Sequence, residues 1–343
     1  MTRPVVMRVN TEDGPLVPER VDVSAPPRGW VRVEVTASGV CGADISTAKA
    51  KGARTPVTPG HEIAGVVAEL GEGVDGWTVG DRVEVGWFGG SCGHCDFCRR
   101  GDVVHCTERA VPGLSYQGGW AESVTVPADA LARIPEGLDF FDAAPMGCAG
   151  VTTFNAVRQA KLPAGARVAV FGLGGLGHLA VQFAAKMGYE VIAIARGPER
   201  EELARRLSAH HYIDGAAAAP GAALRELGGA DLILSTAPTT EPVPELIDGL
   251  RVYGRLTMIG IDGGTVEVPA AQLVRNSQIL TGHLTGSALD TEETMRFAVV
   301  NDVRPMIERM PLEQAGEAVA RLAAGKPRFR IVLDATNSRE PQP

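Results

Sequence analysis

The chain reads Arg167-Val-Ala-Val-Phe171 followed at once by Gly172-Leu-Gly-Gly-Leu-Gly177. An apolar strand thus runs straight into a glycine-rich turn, and a helical pattern starts directly after it. Glycine permits the tight turn, the close approach of the backbone to a pyrophosphate, and the packing of helix on strand. The N-terminus of the helix would present free N–H groups to the phosphates. The predicted dinucleotide-binding residues are Gly172, Gly174, Gly175, Leu176 and Gly177.

The alternation of strand and helix continues beyond this turn. Apolar segments lie at 167–171, 190–195, 231–235 and 255–261, and helical segments lie at 176–187, 199–207 and 242–250. Apolar strands separated by helices indicate a parallel sheet that is covered on both faces. We therefore predict an α/β fold in which residues 152–287 form a Rossmann domain with a doubly wound parallel sheet. The tract 215–221 is predicted to be a surface loop.

The first 150 residues have a different pattern, with short segments such as Val31-Arg-Val-Glu-Val35 between turn residues. Period-two alternation with frequent turns indicates a β-rich unit, which we expect to be a small barrel. After residue 287 the pattern predicts helices at 290–300 and 312–324 and a strand at 329–333. We expect this tail to return to the first unit, so that residues 1–151 and 288–343 form one domain.

The end of the second strand of the parallel sheet bears on the choice of cofactor. A carboxylate about 20 residues after the glycine-rich turn would bind the ribose 2′-hydroxyl of NAD. Here that strand ends at Ala195, which Arg196 and Arg200 follow. A neutral residue removes repulsion of a 2′-phosphate, and guanidinium groups can bind it with two hydrogen bonds. The alternative is that the arginines begin a solvated helix. The sequence favours NADP(H) over NAD(H).

Composition excludes several classes of protein. The formal charge of −8 and the lack of Lys/Arg-rich runs argue against nucleic-acid binding. Apolar runs such as Leu179–Ala185 are too short to span a membrane. The N-terminus lacks the apolar core of a signal peptide, so we expect a cytoplasmic protein. In a reducing compartment, clustered cysteines indicate metal binding more than disulfides.

All six cysteines fall into two sets. One set has the regular spacing C-x2-C-x2-C-x7-C, which can close a tetrahedral shell around Zn²⁺ and so indicates a structural site. Its members are Cys92, Cys95, Cys98 and Cys106. The other set is Cys41 and Cys148, which lie on either side of His61-Glu62. Two thiolates and one imidazole would leave a fourth position open, as in catalytic zinc sites. Spacing alone does not decide this second case, because a lone cysteine or histidine is often a core residue.

Five motifs together resemble those of zinc-dependent medium-chain alcohol dehydrogenases, with the microbial and cinnamyl-type branch the nearest. They are the glycine-rich turn, the four-cysteine lobe, Gly39-Val-Cys-Gly-Ala-Asp44, Gly60-His61-Glu62 and Cys148-Ala-Gly-Val-Thr152. The similarity runs from about residue 25 to residue 335. It implies a GroES-like β-rich catalytic domain, two zinc ions per chain and an alcohol or aldehyde substrate. It also implies a homodimer through an edge strand near 279–285, with a tetramer as the alternative.

The resemblance implies roles for single residues as well. Cys41, His61 and Cys148 would hold the catalytic zinc, and Glu62 would approach it transiently. Asp44 would orient His61. Thr152 would contact the nicotinamide, and Arg330 would contact either the pyrophosphate or Glu62.

In the implied mechanism zinc polarises a carbonyl that receives hydride from the nicotinamide, and the product oxygen then needs a proton. The family's relay begins at a Ser or Thr two residues after the first cysteine ligand. Here that residue is Ala43, and Ser46 replaces a histidine three positions further on. Either water held by Ser46 or Thr47 delivers the proton, or the substrate is an iminium ion or an activated alkene. A third alternative is a non-catalytic NADPH-binding sensor with a purely structural zinc.

Aromatic residues near the two cysteine sets suggest a substrate pocket. Trp87, just before the four-cysteine lobe, and Trp120 are predicted to line an apolar pocket beside the zinc. The alternative for both is packing in the core. An aromatic wall would favour aryl or medium-length aliphatic substrates.

Overall fold

The computed structural model describes residues 3–51, 54–260 and 263–336. The strands are β1 Val5–Val9, β2 Leu16–Arg20, β3 Trp30–Val40, β4 Ile63–Leu70, β5 Arg82–Val85, β6 Ser123–Pro127, β7 Ala132–Arg133, β8 Arg167–Phe171, β9 Glu190–Ala195, β10 His211–Asp214, β11 Ala230–Ser235, β12 Leu250–Met258, β13 Ile279–Gly282, β14 Ile307–Pro311 and β15 Arg330–Asp334.

The α-helices are α1 Asp44–Thr47, α2 Asp96–Arg99, α3 Phe140–Ala143, α4 Ala149–Arg158, α5 Gly177–Lys186, α6 Glu201–Arg206, α7 Pro220–Glu226, α8 Val243–Asp248, α9 Ala270–Asn276, α10 Ala288–Asn301 and α11 Ala315–Ala323. The chain divides into a first unit, Met1–Val151 with Thr285–Pro343, and a second unit, Thr152–Leu284. The second boundary lies three residues before the predicted residue 287.

The first unit is organised around β3, an 11-residue strand. It pairs antiparallel with β4, β6 and β15. The larger sheet has the order β14-β15-β3-β4-β5-β7, and β1 and β2 form a separate hairpin. Alternate residues of β3 (Val31, Val33 and Val35) are fully buried in the apolar core, as the period-two pattern predicts. Because β15 lies between β14 and β3, the C-terminal tail completes this sheet.

The second unit is built on six strands in the order β10-β9-β8-β11-β12-β13, and every pair is parallel. The order runs outward from β8 in one direction and from β11 in the other, which is the doubly wound arrangement. Its core contains Ile192, Ile194, Ile233 and Leu256, all fully buried. The predicted fold class is therefore confirmed.

Several elements differ from the sequence prediction. The tract 215–221 is not wholly a loop, because α7 begins at Pro220. Proline is favoured in the first turn of a helix, where its missing N–H costs nothing. The four-residue strand β10 and the helix α9 were not predicted, since β10 is short and no residue of α9 is buried. The predicted strand at 255–261 is instead the longer β12, and residue 261 lies outside the described residues.

Replacing Ile233 at the centre of the parallel sheet should destabilise the second unit. We expect Ile233→Ala to lower the free energy of unfolding by about 2–5 kcal/mol, because the lost methyl groups leave a cavity. Val274→Ala, at a side chain that is 78% exposed, serves as the control and should change it by less than about 0.5 kcal/mol. Urea unfolding followed by circular dichroism measures both. Equal effects of the two substitutions would contradict the assigned core.

Candidate metal and cofactor sites

The glycine-rich turn lies between β8 and α5 in the second unit. Gly172 has a φ of 95°, a conformation that favours glycine. A Cβ on Gly177 would lie 1.8 Å from the carbonyl oxygen of Gly172, so helix and strand could not approach this closely with any side chain. Thr236, directly after β11, fixes the turn, because its hydroxyl lies within hydrogen-bond distance of the carbonyl oxygens of Gly172 (2.8 Å) and Phe171 (3.0 Å) and can donate to either. Helix α5 begins at Gly177, so the backbone N–H groups of its first turn lie directly after the glycine-rich turn.

A second turn follows the end of β9. Ala195 is followed by the exposed Arg196 and by Gly197, whose φ is 95°. Arg200 donates through Nη1 to the carbonyl oxygen of Leu173 (3.0 Å), which places its guanidinium against the glycine-rich turn. Two residues that the sequence analysis missed hold this segment: the Tyr212 hydroxyl donates to the carbonyl oxygen of Gly197 (2.5 Å), and Asp214 accepts from the Gly197 N–H (2.8 Å). Both lie on the unpredicted strand β10.

The four-cysteine lobe of the first unit brings its sulfurs together. The four Sγ atoms all lie within 4.8 Å of one another. Backbone N–H groups point at the sulfurs: Cys92 and Glu108 each donate to the Cys106 Sγ at 3.3 Å. Hydrogen bonds from the backbone N–H groups of Cys98 and Thr107 lower the pKa of Cys95 to about 6. Four cysteine sulfurs gathered in this way can act as the ligands of a closed zinc site.

Three distant segments of the first unit meet at a second cluster. Cys41 follows β3, His61 precedes β4, and Cys148 precedes α4. The ligand atoms of these residues and of Glu62 lie within 4.8 Å of one another. The Sγ atoms of Cys41 and Cys148 are 3.7 Å apart. Two thiolates on a tetrahedral zinc with bonds of about 2.3 Å would be separated by about 3.8 Å. The residues present therefore fit a zinc ion.

Asp44 orients two members of this cluster. Its Oδ1 lies 3.1 Å from His61 Nδ1, and its Oδ2 accepts from the Cys41 N–H at 2.8 Å. His61 Nε2 is buried and has no hydrogen-bond partner among the described residues, as a nitrogen reserved for a metal would be. The Trp87 ring packs edge-on against the imidazole, with 4.8 Å between ring centroids.

The charges of the cluster shift its pKa values. Burial would lower the pKa of His61, but the Asp44 carboxylate and the Cys41 sulfur raise it well above its usual value. The hydrogen bond with Cys148 lowers the pKa of Cys41 well below that of a free thiol, against the effect of burial, and His61 and Arg330 act in the same direction. The same hydrogen bond raises the pKa of Cys148, as does burial.

Glu62 and Arg330 form a buried ion pair next to the cluster. Arg330 Nη2 donates to Glu62 Oε1, and the two side chains are almost inaccessible to solvent. Of the two contacts expected for Arg330, the structure of this unit shows the one with Glu62. Burial raises the pKa of Glu62, although Arg330 opposes this shift. A Cβ on Gly39 would lie 1.9 Å from Glu62 Oε2, so glycine is required there for the carboxylate to fit.

Other predicted residues lie further from this arrangement. The Ser46 hydroxyl donates to the carbonyl oxygen of Ala43 (3.0 Å), and the Thr47 hydroxyl donates to the same oxygen (3.3 Å). Thr152 is buried in the second unit, with its hydroxyl 3.4 Å from the carbonyl oxygen of Leu284. Trp120 requires a correction, because it lies in the core instead of lining a pocket. It is fully buried in the apolar cluster of the first unit, and its indole N–H donates to the carbonyl oxygen of Gly39 (3.1 Å).

A buried carboxyl group that the sequence did not predict is that of Glu84 on β5. Strand alternation in Arg82-Val-Glu-Val85 suggests a solvent-facing residue, yet Glu84 is fully inaccessible. Neither carboxyl oxygen has a hydrogen-bond partner among the residues that the structure describes. Burial raises the pKa of Glu84 well above its usual value, and the nearby charge of Glu62 raises it further, while His61 acts in the opposite direction.

Models of known protein families match a region in each of the two units. The family model for the alcohol dehydrogenase GroES-like domain matches residues 27–136, and that for zinc-binding dehydrogenases matches residues 175–299. No helix within the described ranges is both long enough and apolar enough to cross a membrane.

Among curated relatives, alcohol dehydrogenase patD of Penicillium expansum is 43% identical over 92% of this chain and 93% of its own length. NADP-dependent alcohol dehydrogenase C 1 of Mycolicibacterium smegmatis is 36% identical over 90% of this chain and 91% of its own. The solved structure of a cinnamyl alcohol dehydrogenase from Sorghum bicolor superposes with a TM-score of 0.89, at 29% identity and 99% coverage of both chains. The chain belongs to the zinc-type medium-chain alcohol dehydrogenases and is an oxidoreductase of that family.

Proposed function

We propose that the protein uses zinc and NADP(H) to interconvert alcohols and aldehydes. The observation that carries this proposal is the meeting of Cys41, His61 and Cys148 with His61 Nε2 left unpartnered. Three ligands of this kind leave one coordination position for a substrate oxygen. The closed four-cysteine lobe would hold a second, structural ion, which gives two zinc ions per chain.

The residues around the cluster supply orientation and charge. A bound zinc ion would act as a Lewis acid toward a carbonyl oxygen, and NADPH would supply the hydride. Asp44 holds His61 with Nε2 directed into the cluster and anchors the Cys41 backbone. Glu62, held by Arg330, has one oxygen without a partner among the described residues, so it can approach the metal position when the ion pair shifts.

The residue at position 43 supports a second candidate function. Ala43 offers no hydroxyl, and the hydroxyls of Ser46 and Thr47 both donate to its carbonyl oxygen. We propose that water associated with Ser46 delivers the proton in aldehyde reduction. The alternative is reduction of an iminium ion, or 1,4-reduction of an activated alkene, neither of which needs a hydroxyl at this position. A non-catalytic sensor is disfavoured, since it would not need the second cluster.

The turn after β9 supports NADP(H) over NAD(H). Ala195 places no carboxylate at the end of β9, Arg196 is exposed, and Arg200 lies against the glycine-rich turn. A relative of similar length is named as NADP-dependent. We propose that the two guanidinium groups bind the 2′-phosphate.

For assembly we propose a homodimer through β13, which ends the parallel sheet and whose Ile279 is exposed.

Metal analysis tests the two proposed sites separately. We expect two zinc ions per wild-type chain and one in each of Cys98→Ser and Cys148→Ser. Cys148→Ser should lower turnover by about 10³-fold with a small change in thermal stability, because the open site serves catalysis. Cys98→Ser should lower the unfolding midpoint by at least about 5 °C. Elemental analysis and thermal unfolding measure these outcomes. A wild-type chain with one zinc would contradict the catalytic assignment.

Cofactor selectivity depends on Arg196 under this proposal. Arg196→Ala should lower the NADPH/NADH ratio of kcat/KM by about 10-fold or more, because a hydrogen bond to a charged group contributes about 1.5–3 kcal/mol. Arg206→Ala, which removes an exposed arginine from the end of α6, is the matched control and should leave the ratio unchanged. An unchanged ratio in the Arg196 variant would refute a role in binding the 2′-phosphate.

A screen of NADPH oxidation over aldehydes, enals and cyclic imines tests the function itself. We expect aldehydes to be reduced. Ala43→Ser should raise that rate by about 10-fold or more, since a positioned proton donor typically contributes about 10²–10⁴-fold. Reduction of cyclic imines should not change, and Lys49→Ser controls for a new hydroxyl nearby. Turnover of imines or enals alone would favour the second candidate, and an unchanged aldehyde rate would show that the missing hydroxyl is not limiting.

A further inference from the structure

Glu84 lies in the first unit among residues with small side chains. It lies on β5 between Val83 and Val85, which face the apolar core, so its side chain points to the opposite face of the sheet. Its cross-strand partners are Ala64 on β4 and Ala132 on β7, and both are fully buried. Two alanines beside a glutamate leave room for its carboxyl group within the protein.

The carboxyl group of Glu84 lies against Gly147. A Cβ on Gly147 would be 1.6 Å from Glu84 Oε1, and its three nearest atoms would all belong to the Glu84 carboxyl group. The same glycine is also held by the segment that follows β5, because its carbonyl oxygen accepts from the Trp87 N–H at 3.2 Å. Gly147 directly precedes Cys148, and Trp87 packs on His61. Gly147 thus connects Glu84 to Cys148 through the chain and to His61 through Trp87.

Charge balance shows how Glu84 can occupy this place. The buried cation of the cluster, Arg330, is already paired with Glu62. A second buried carboxylate without a cation or a hydrogen bond would be strongly unfavourable. The neutral acid avoids this cost, and the raised pKa of Glu84 agrees with that form. Its contribution is then one of shape, which an uncharged side chain of equal size could supply.

We propose that Glu84 is a positioning residue whose carboxyl group holds Gly147, and through it the Cys148 sulfur, in the geometry for metal binding. This inference rests on the zinc site of the proposed function. Removing the carboxyl group lets the 144–147 segment move toward β5, which changes the distance between the two cysteine sulfurs. A methyl group on Gly147 pushes the segment away from β5 and disturbs the same distance in the opposite sense.

The test uses the complementary sizes of the two residues. The variants are Glu84→Gln, Glu84→Ala, Gly147→Ala and the double variant Glu84→Ala/Gly147→Ala. The readouts are the rate at which a chelator removes the catalytic zinc and the visible spectrum of the cobalt-substituted protein. Glu84→Ala and Gly147→Ala should each release zinc about 10-fold faster or more, with an altered cobalt spectrum. Glu84→Gln should behave as the wild type.

The double variant should release zinc more slowly than either single alanine variant, because the new methyl group fills the vacated space. Glu122→Ala, which removes another buried carboxyl group of this unit, controls for general destabilisation and should leave zinc release unchanged. Wild-type zinc release in Glu84→Ala, a Gln variant as impaired as the Ala variant, or additive effects in the double variant would each overturn the inference. A wild-type chain with one zinc would overturn the proposed function and this inference together. The zinc content of the wild type alone detects that outcome, whereas the other outcomes appear only in the variants.

Discussion

A single buried carboxylate, that of Asp44, determines the geometry on which the second cysteine cluster depends. One of its oxygens faces His61 Nδ1 and the other accepts from the Cys41 N–H. Because Nδ1 faces this carboxylate at 3.1 Å, Nε2 is the ring nitrogen that is free to point into the cluster, and the imidazole has a defined orientation. Because the same carboxylate anchors the Cys41 backbone, a sulfur ligand and a nitrogen ligand are fixed by one group.

The surroundings of this cluster follow from the cost of burying charge. Two thiols, an imidazole and the carboxyl groups of Asp44, Glu62 and Glu84 are gathered with one guanidinium, that of Arg330. Such a set is stable only if some groups are neutral or a cation joins them. A divalent ion would supply that cation and would also remove the competition of the two cysteines for one proton. The charges of the surrounding residues therefore favour a cation at this position.

Much of this architecture was predictable because it depends on local patterns. The glycine-rich turn after an apolar strand, and four closely spaced cysteines, indicate their structures within about 15 residues. The convergence of Cys41, His61 and Cys148 was not predictable from spacing, since it depends on how three distant segments cross in the fold. The placement of Trp120 and Glu84 was missed for the same reason. Alternation gives the face of a strand on which a residue lies, but what covers that face is set by tertiary contacts such as Gly147 on Glu84.

The place of β15 beside β3 imposes an order on biosynthesis. The second unit is one continuous segment, whereas β3 must wait for a strand made about 290 residues later to complete its sheet. Arg330 lies 268 residues from Glu62 in the chain, so the carboxylate is without its cation until β15 has been synthesised. A ribosome-bound chain can thus fold its nucleotide-binding half first. Completion of the first unit is tied to the synthesis of β15.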